Sequence, residues 1–280
     1  MKISGWGWAG RGPFRWALWG GAALLAMYSL SGCANVPGQT RISDSQPDAA
    51  GNVDESDARK RARLRLELAV NYFEQGQTNV ALEEIKRALG SDPAYPEAFN
   101  LRGLVYMRLN DLAQAEESFR RALALNPQSA NVLHNYGWLQ CQLMRYPQAD
   151  ELFAQALANP TYGDRAKTMM AQGVCQIRSG DRAMAERTLA RALELDAGNP
   201  ITGFNLANLL YLRGDFTRAQ FYIRRVNNSE SANAESLWLG IKVERKMNNR
   251  VAMLQLVDQL KRRFPQSREL LAYDRGNFDE

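Results

Sequence analysis

Histidine occurs once in 280 residues and cysteine three times. A structural zinc site takes four such ligands and a catalytic one three, and the few present do not fall at ligand spacing, so no metal is assigned. A Gly-rich phosphate loop is missing as well. The lone His134 leaves little room for a histidine-based nucleophile relay. Acidic pairs do occur, at Glu83-Glu84 and Glu116-Glu117, but on the polar faces of periodic helical segments they read as solvated surface. These gaps argue against an enzyme: no catalytic residue, cofactor or small-molecule substrate is assigned.

Long apolar runs are scarce too. The one that stands out, the uncharged stretch Trp16 to Leu30, follows Lys2, Arg11 and Arg15. It is shorter than the roughly 20 residues a membrane-spanning helix needs. A basic start, a short apolar stretch and then Ser31 and Gly32 make residues 1–32 a secretory signal. Leu30-Ser31-Gly32-Cys33 resembles the bacterial lipobox, which implies lipidation of Cys33 and cleavage before it. Several acyl chains anchor far more firmly than one. Ala34, rather than an acidic residue, follows the cysteine. By the same resemblance, this implies the periplasmic face of the outer membrane.

Strong net charge is also lacking once the signal is gone. Its three basic residues leave with it, so 35 Lys and Arg become 32 against 30 Asp and Glu, a net of +2. That balance gives no support to nucleic-acid binding. Residues 33–61 begin with a segment rich in Pro, Gly, Ser, Asp and Asn and poor in large apolar side chains, and read as a tether.

What the rest of the chain has in abundance is self-similarity. Small residues at Ala69, Gly103, Gly137, Gly173, Ala207 and Gly240 are each followed twelve residues later by an alanine: Ala81, Ala115, Ala149, Ala185, Ala219 and Ala252. The intervals are 34, 34, 36, 34 and 33 residues. That period, with a large apolar residue at position 24 and usually Ala at 27, is the tetratricopeptide (TPR) pattern of helical hairpins. The expected fold is all-α, a TPR superhelical solenoid. It spans residues 62–266 as repeats 62–95, 96–129, 130–165, 166–199, 200–232 and 233–266, with a fraying extension at 267–280. Positions 8 and 20 are small so that the two helices of a hairpin can approach. Asn110-Asp111, Gly180-Asp181 and Gly214-Asp215 are expected to close hairpin turns, and Pro93, Pro127, Pro160, Pro200 and Pro265 to lie near the ends of second helices.

In TPR proteins positions 5, 9, 12 and 13 of each first helix line the concave face. This places Leu66, Val70 and Phe73, Leu104 and Met107, and Trp138 in a groove more apolar than solvent would favour. Such a groove marks a partner site, unless the tether covers it. His134, at position 5 of the third repeat, is expected to be partly exposed there without a proton role. Cys141 and Cys175 sit on first helices that should be neighbours in the stack. In an exported protein they are expected to form a disulfide, the alternative being two buried thiols.

Lipobox, tether and six repeats together resemble the type IV pilus biogenesis and stability lipoproteins of the PilF/PilW family, the pilotins of the pilus secretin. The likeness extends to the segment from Asn131 with Asn135-Tyr136-Gly137 and Arg145-Tyr146, to the connection Thr161 to Arg165, and to the sixth repeat from Ser236 to Arg250. Trp138 and Gln140 depart from that pattern. The resemblance implies a non-enzymatic outer-membrane lipoprotein that binds secretin subunits and promotes their localisation and assembly. The rival readings are an adaptor for peptidoglycan enzymes and a factor in outer-membrane protein assembly.

Overall fold

The structure, a computed structural model, describes residues 56–278. The signal, Cys33 and most of the tether lie outside them. Among the described residues there are thirteen helices and no strand: α1 Asp57–Glu74, α2 Thr78–Ser91, α3 Pro96–Arg108, α4 Leu112–Leu125, α5 Ala130–Gln142, α6 Tyr146–Ala158, α7 Arg165–Ser179, α8 Arg182–Leu195, α9 Pro200–Arg213, α10 Phe216–Asn227, α11 Ala234–Lys246, α12 Arg250–Arg263 and α13 Arg268–Asp274. Odd and even helices from α1 to α12 pair as six antiparallel hairpins. Each odd helix also touches the next odd helix, whereas no two even helices among the described residues are in contact. The stack therefore curves with the odd helices on its inner, concave side.

The repeat spacing follows from one contact. A methyl at Gly103 would lie 2.5–2.8 Å from three carbons of the Phe119 ring, and one at Gly173 would lie 2.6 Å from Leu189 Cγ. Position 8 is small because the position-24 side chain fills the space above it. Phe119, Phe153, Leu189, Ile85 and Ile223 are accordingly buried almost completely. Position 27 trades volume with position 4. Ala122 and Ala156 sit in clusters with the large Phe99 and Leu133. Where position 27 enlarges to Val226, position 4 shrinks to Gly203, whose added methyl would meet Val226 Cγ2 at 3.0 Å.

The hairpin turns repeat a second device, a left-handed residue followed by a cap. Gly76, Asn110, Met144, Gly180, Gly214 and Asn248 all have positive φ. Asp111, Asp181 and Asp215 then cap the next helix through their carboxylates. Met144 carries a side chain that pays for this conformation with about 1–2 kcal/mol of strain, and nothing in the structure explains its presence there.

Three boundaries differ from the sequence expectation. Residues 57–61 belong to α1 rather than to the tether. Ser56 caps the helix, and Arg59 pairs with Asp92 and lies 4.5 Å over the Tyr95 ring, fastening the first turn to the far end of α2. Pro200 opens α9 instead of closing α8, since its missing N–H costs nothing in a first turn. The C-terminal extension is ordered: α13 packs on α11 and α12, Leu270 is buried, and the Phe278 ring stacks on Trp238 at 5.2 Å.

Candidate functional site

The expected groove residues divide into those facing the cleft and those consumed by the stack. Val70 is exposed, and Phe73, Leu104, Met107 and Trp138 are half-buried on the inner side. Leu66 and His134 are not available: they are only 9% and 8% exposed. Both stand at position 5, where one odd helix meets the next. Leu66 packs in a cluster with Ala98 and Leu101 of α3, and His134 on α5 reaches α7. The expected partly exposed histidine is thus a buried one, corrected by contact between successive repeats.

His134 Nδ1 lies 2.8 Å from Thr168 Oγ1, and the Tyr162 hydroxyl lies 2.9 Å from the same oxygen. This buried chain ties α5, the lengthened connection and α7 together. Burial, with Lys167 nearby, lowers the His134 pKa from 6.5 to about 4. Between those values the unfolded chain binds a proton that the folded one refuses, so stability is full above about pH 6.5 and falls as pH drops towards 4. Between pH 7 and 4.5 the wild type should lose about 2–3 kcal/mol more than His134→Gln, a figure from roughly 1.4 kcal/mol per pKa unit. Urea unfolding across that range measures it; parallel pH profiles would exclude His134 as the cause.

Each acidic pair divides: Glu83 and Glu117 are exposed, as expected, but Glu84 and Glu116 are not plain solvated surface. Glu84 is buried and accepts from Arg65 of α1 at 3.0 Å and from Arg87 at 2.7 Å. Glu116 on α4 accepts from Tyr136 and Arg145 at 3.0 Å and from Gln140 at 3.2 Å. Burial would raise its carboxyl, but these donors hold it below the usual carboxylate range. Burial and that carboxylate push Tyr136 up to about 12. Asp150 repeats the arrangement one hairpin on, accepting from Gln172 at 2.8 Å and Gln176 at 3.0 Å. At the equivalent place on α10, Gln220 donates to Glu244 Oε2 at 2.8 Å, while Arg224 holds Oε1 at 2.8 Å. In repeats two to five the residue after the position-20 alanine therefore clasps the next hairpin, Glu186 doing so through Arg213 of α9 at 2.7 Å, and these bonds fix the angle between repeats and so the curvature of the groove. A polar residue recurring at that position was the available signal.

Inside the groove the polar features are amides and cations. Asn135 Nδ2 donates to Asn100 Oδ1 at 3.0 Å across α5 and α3. Arg108 lies 3.7 Å over the Phe73 ring and donates to Phe73 O, and Arg178 lies 4.8 Å over the Trp138 ring. Burial lowers the Arg178 pKa from its ordinary value. The Cys141 and Cys175 sulfurs are joined beneath this surface, with Cα atoms 5.8 Å apart, in a cluster with Ala149, Phe153 and Ala171. Among the described residues no cluster of three His, Cys, Asp or Glu is placed to hold a metal ion. No helix among them is long and apolar enough to cross a membrane.

Six hairpins at this spacing, small residues under position-24 plugs, and a concave face of odd helices define a TPR solenoid whose chemistry is that of protein recognition. Residues 66–130 match the tetratricopeptide repeat family. The crystal structure of PilW, described as a widely conserved type IV pilus biogenesis factor, is 32% identical with TM-score 0.70, covering 76% of this chain and 97% of PilW. The structure of Pseudomonas aeruginosa PilF is 25% identical with TM-score 0.73, covering 79% of this chain and all of that one. The type IV pilus assembly protein PilF of Pseudomonas aeruginosa PAO1 is 28% identical over 204 residues, 73% of this chain and 81% of PilF. The chain belongs to the PilF/PilW family of TPR proteins.

Proposed function

We propose that this protein acts in type IV pilus biogenesis as a non-enzymatic pilotin. It is lipidated at Cys33, anchored to the periplasmic face of the outer membrane, and holds subunits of the pilus secretin while they localise and assemble. The observation that carries the reading is identity of 32% with PilW across 97% of that chain, in the same fold. The lipobox supports the membrane address. Tethering carrier and client to one membrane raises their effective concentration, so an individual groove contact need not be tight. Val70, exposed, and Phe73, half-buried beside it on α1, are the apolar residues of the first repeat best placed to meet a client.

A deletion strain tests this through heat-resistant secretin multimers on a blot and through twitching motility, both of which should fall. Complementation with Val70→Glu plus Phe73→Glu should fail to restore either while the helical circular dichroism signal and lipidation persist. Normal multimers and pili in the deletion strain would eliminate the pilotin reading, and altered cell shape would favour an adaptor of cell-wall enzymes. Full rescue by the double variant would move the contact away from the first repeat.

A further inference from the structure

Several arginines outside the groove are neutralised by a carboxylate, while others, such as Arg102, Arg225 and Arg263, bond to a hydroxyl or a carbonyl instead. Arg145 pairs with Glu116 at 3.0 Å, Arg213 with Glu186 at 2.7 Å and Arg224 with Glu244 at 2.8 Å. Three arginines on the inner face also lack a carboxylate. Arg108, Arg178 and Arg245 stand at position 13 of the second, fourth and sixth repeats, at the groove ends of α3, α7 and α11. Each is stacked on an aromatic ring, Phe73 at 3.7 Å, Trp138 at 4.8 Å and Phe278 at 3.9 Å. None has a carboxylate within ion-pair distance among the described residues, and α5, α7 and α9 contain no Asp or Glu at all.

Stacking clamps a guanidinium by its face and leaves edge N–H groups to be used, in Arg108 those not already given to Phe73 O. That edge matches a carboxylate in a planar, two-bond geometry, and the rotamer entropy of binding is already partly spent. Between the arginines the surface is half-buried Leu104, Met107, Val174, Ile177 and Tyr211, which suits apolar side chains rather than a soluble small anion.

We propose that the inner face of repeats two to six docks an extended, acidic segment of a protein partner, its carboxylates pairing with Arg108, Arg178 and Arg245. Charge complementarity favours this occupant: α5, α7 and α9 carry no Asp or Glu, and a ligand's carboxylates supply the ion-pair partners that Arg108, Arg178 and Arg245 lack among the described residues. Arginines two repeats apart are separated by two helix spacings of about 8–10 Å each. An extended chain covers that span in about five or six residues at roughly 3.3 Å per residue. Acidic side chains at that interval, with apolar ones between, define the ligand. Such a ligand is defined by its chemistry, whatever client the protein serves.

Fluorescence anisotropy on the purified full chain tests it, using two labelled 15-residue peptides. One carries Asp at its second, eighth and fourteenth positions among Ala, Ser and Tyr; the other carries Lys there. The aspartate peptide should bind at least about tenfold more tightly and weaken as salt rises. Arg178→Gln should lose about tenfold in affinity, Arg178→Lys less, and Arg178→Glu should reverse the preference. If Arg178→Gln lowers the helical signal, the exposed Arg108→Gln carries the same expectation. Equal binding of both peptides, or unchanged affinity in a folded Arg→Gln variant, would overturn the proposal. So would a dimer in sedimentation that Arg178→Glu dissolves, which would make a second copy the occupant.

Discussion

Phe119→Ala is expected to lower the unfolding free energy by about 3–5 kcal/mol, the cost of removing a fully buried aromatic. The more diagnostic result is what Gly103→Ala does in each background. In the wild type its new methyl would stand 2.5–2.8 Å from the Phe119 ring. Overpacking of that kind costs about 1–3 kcal/mol, against roughly 1 kcal/mol gained by replacing a mid-helix glycine. With Phe119 truncated, the clash is gone, the helix gain remains and the methyl fills part of the cavity. Gly103→Ala should therefore destabilise the wild type and stabilise Phe119→Ala. Urea unfolding of the four proteins, followed by circular dichroism, measures the coupling; a change of the same sign and size in both backgrounds would show that position 8 is small for some other reason.

This pairing also marks how far the sequence could be read. Contacts within a hairpin have fixed spacing, so the small residues, the plugs, the Asn110, Gly180 and Gly214 turns and their aspartate caps were all legible as a period. The register of the six hairpins follows from them, as the start of α3 at Pro96 and of α5 at Ala130 shows. Contacts between successive hairpins depend on the offset and rotation from one to the next, which no spacing within a repeat encodes. That is why Leu66 and His134, assigned to the groove by position, turned out to lie between odd helices. It is also why Glu116, a surface residue by helical periodicity, turned out to hold Arg145 of the next hairpin. The folded C-terminal segment escaped notice for a related reason: the Phe278 ring finds Trp238 across a gap of 40 positions, and no local pattern announces such a contact.

The lengthened connection between α6 and α7 is where that offset is least constrained by the repeat, and Cys141 and Cys175 span it. Their bond closes a separation of 34 residues and joins α5 to α7 directly. On the loop-entropy account a closure of that size is worth about 3–4 kcal/mol. In a solenoid each unit is held mainly by its neighbours, so the loss should fall on the junction of repeats three and four rather than on the whole array. Reduction, or Cys141→Ala with Cys175→Ala, is therefore expected to lower the urea midpoint and to divide one unfolding transition into two. Amide hydrogen exchange should quicken first in α5 and α7, while α2 and α3 retain their protection. His134 and Tyr162, both bonded to Thr168 at the same junction, keep the reduced protein assembled at neutral pH, so the two halves should part most readily when reduction is combined with acid. Peptide mapping without reductant should recover Cys141 and Cys175 in one linked pair. Two alkylatable thiols in protein isolated without reductant, with a midpoint indifferent to reductant, would show instead that the pair packs as two small apolar side chains and that the Thr168 chain alone holds the junction.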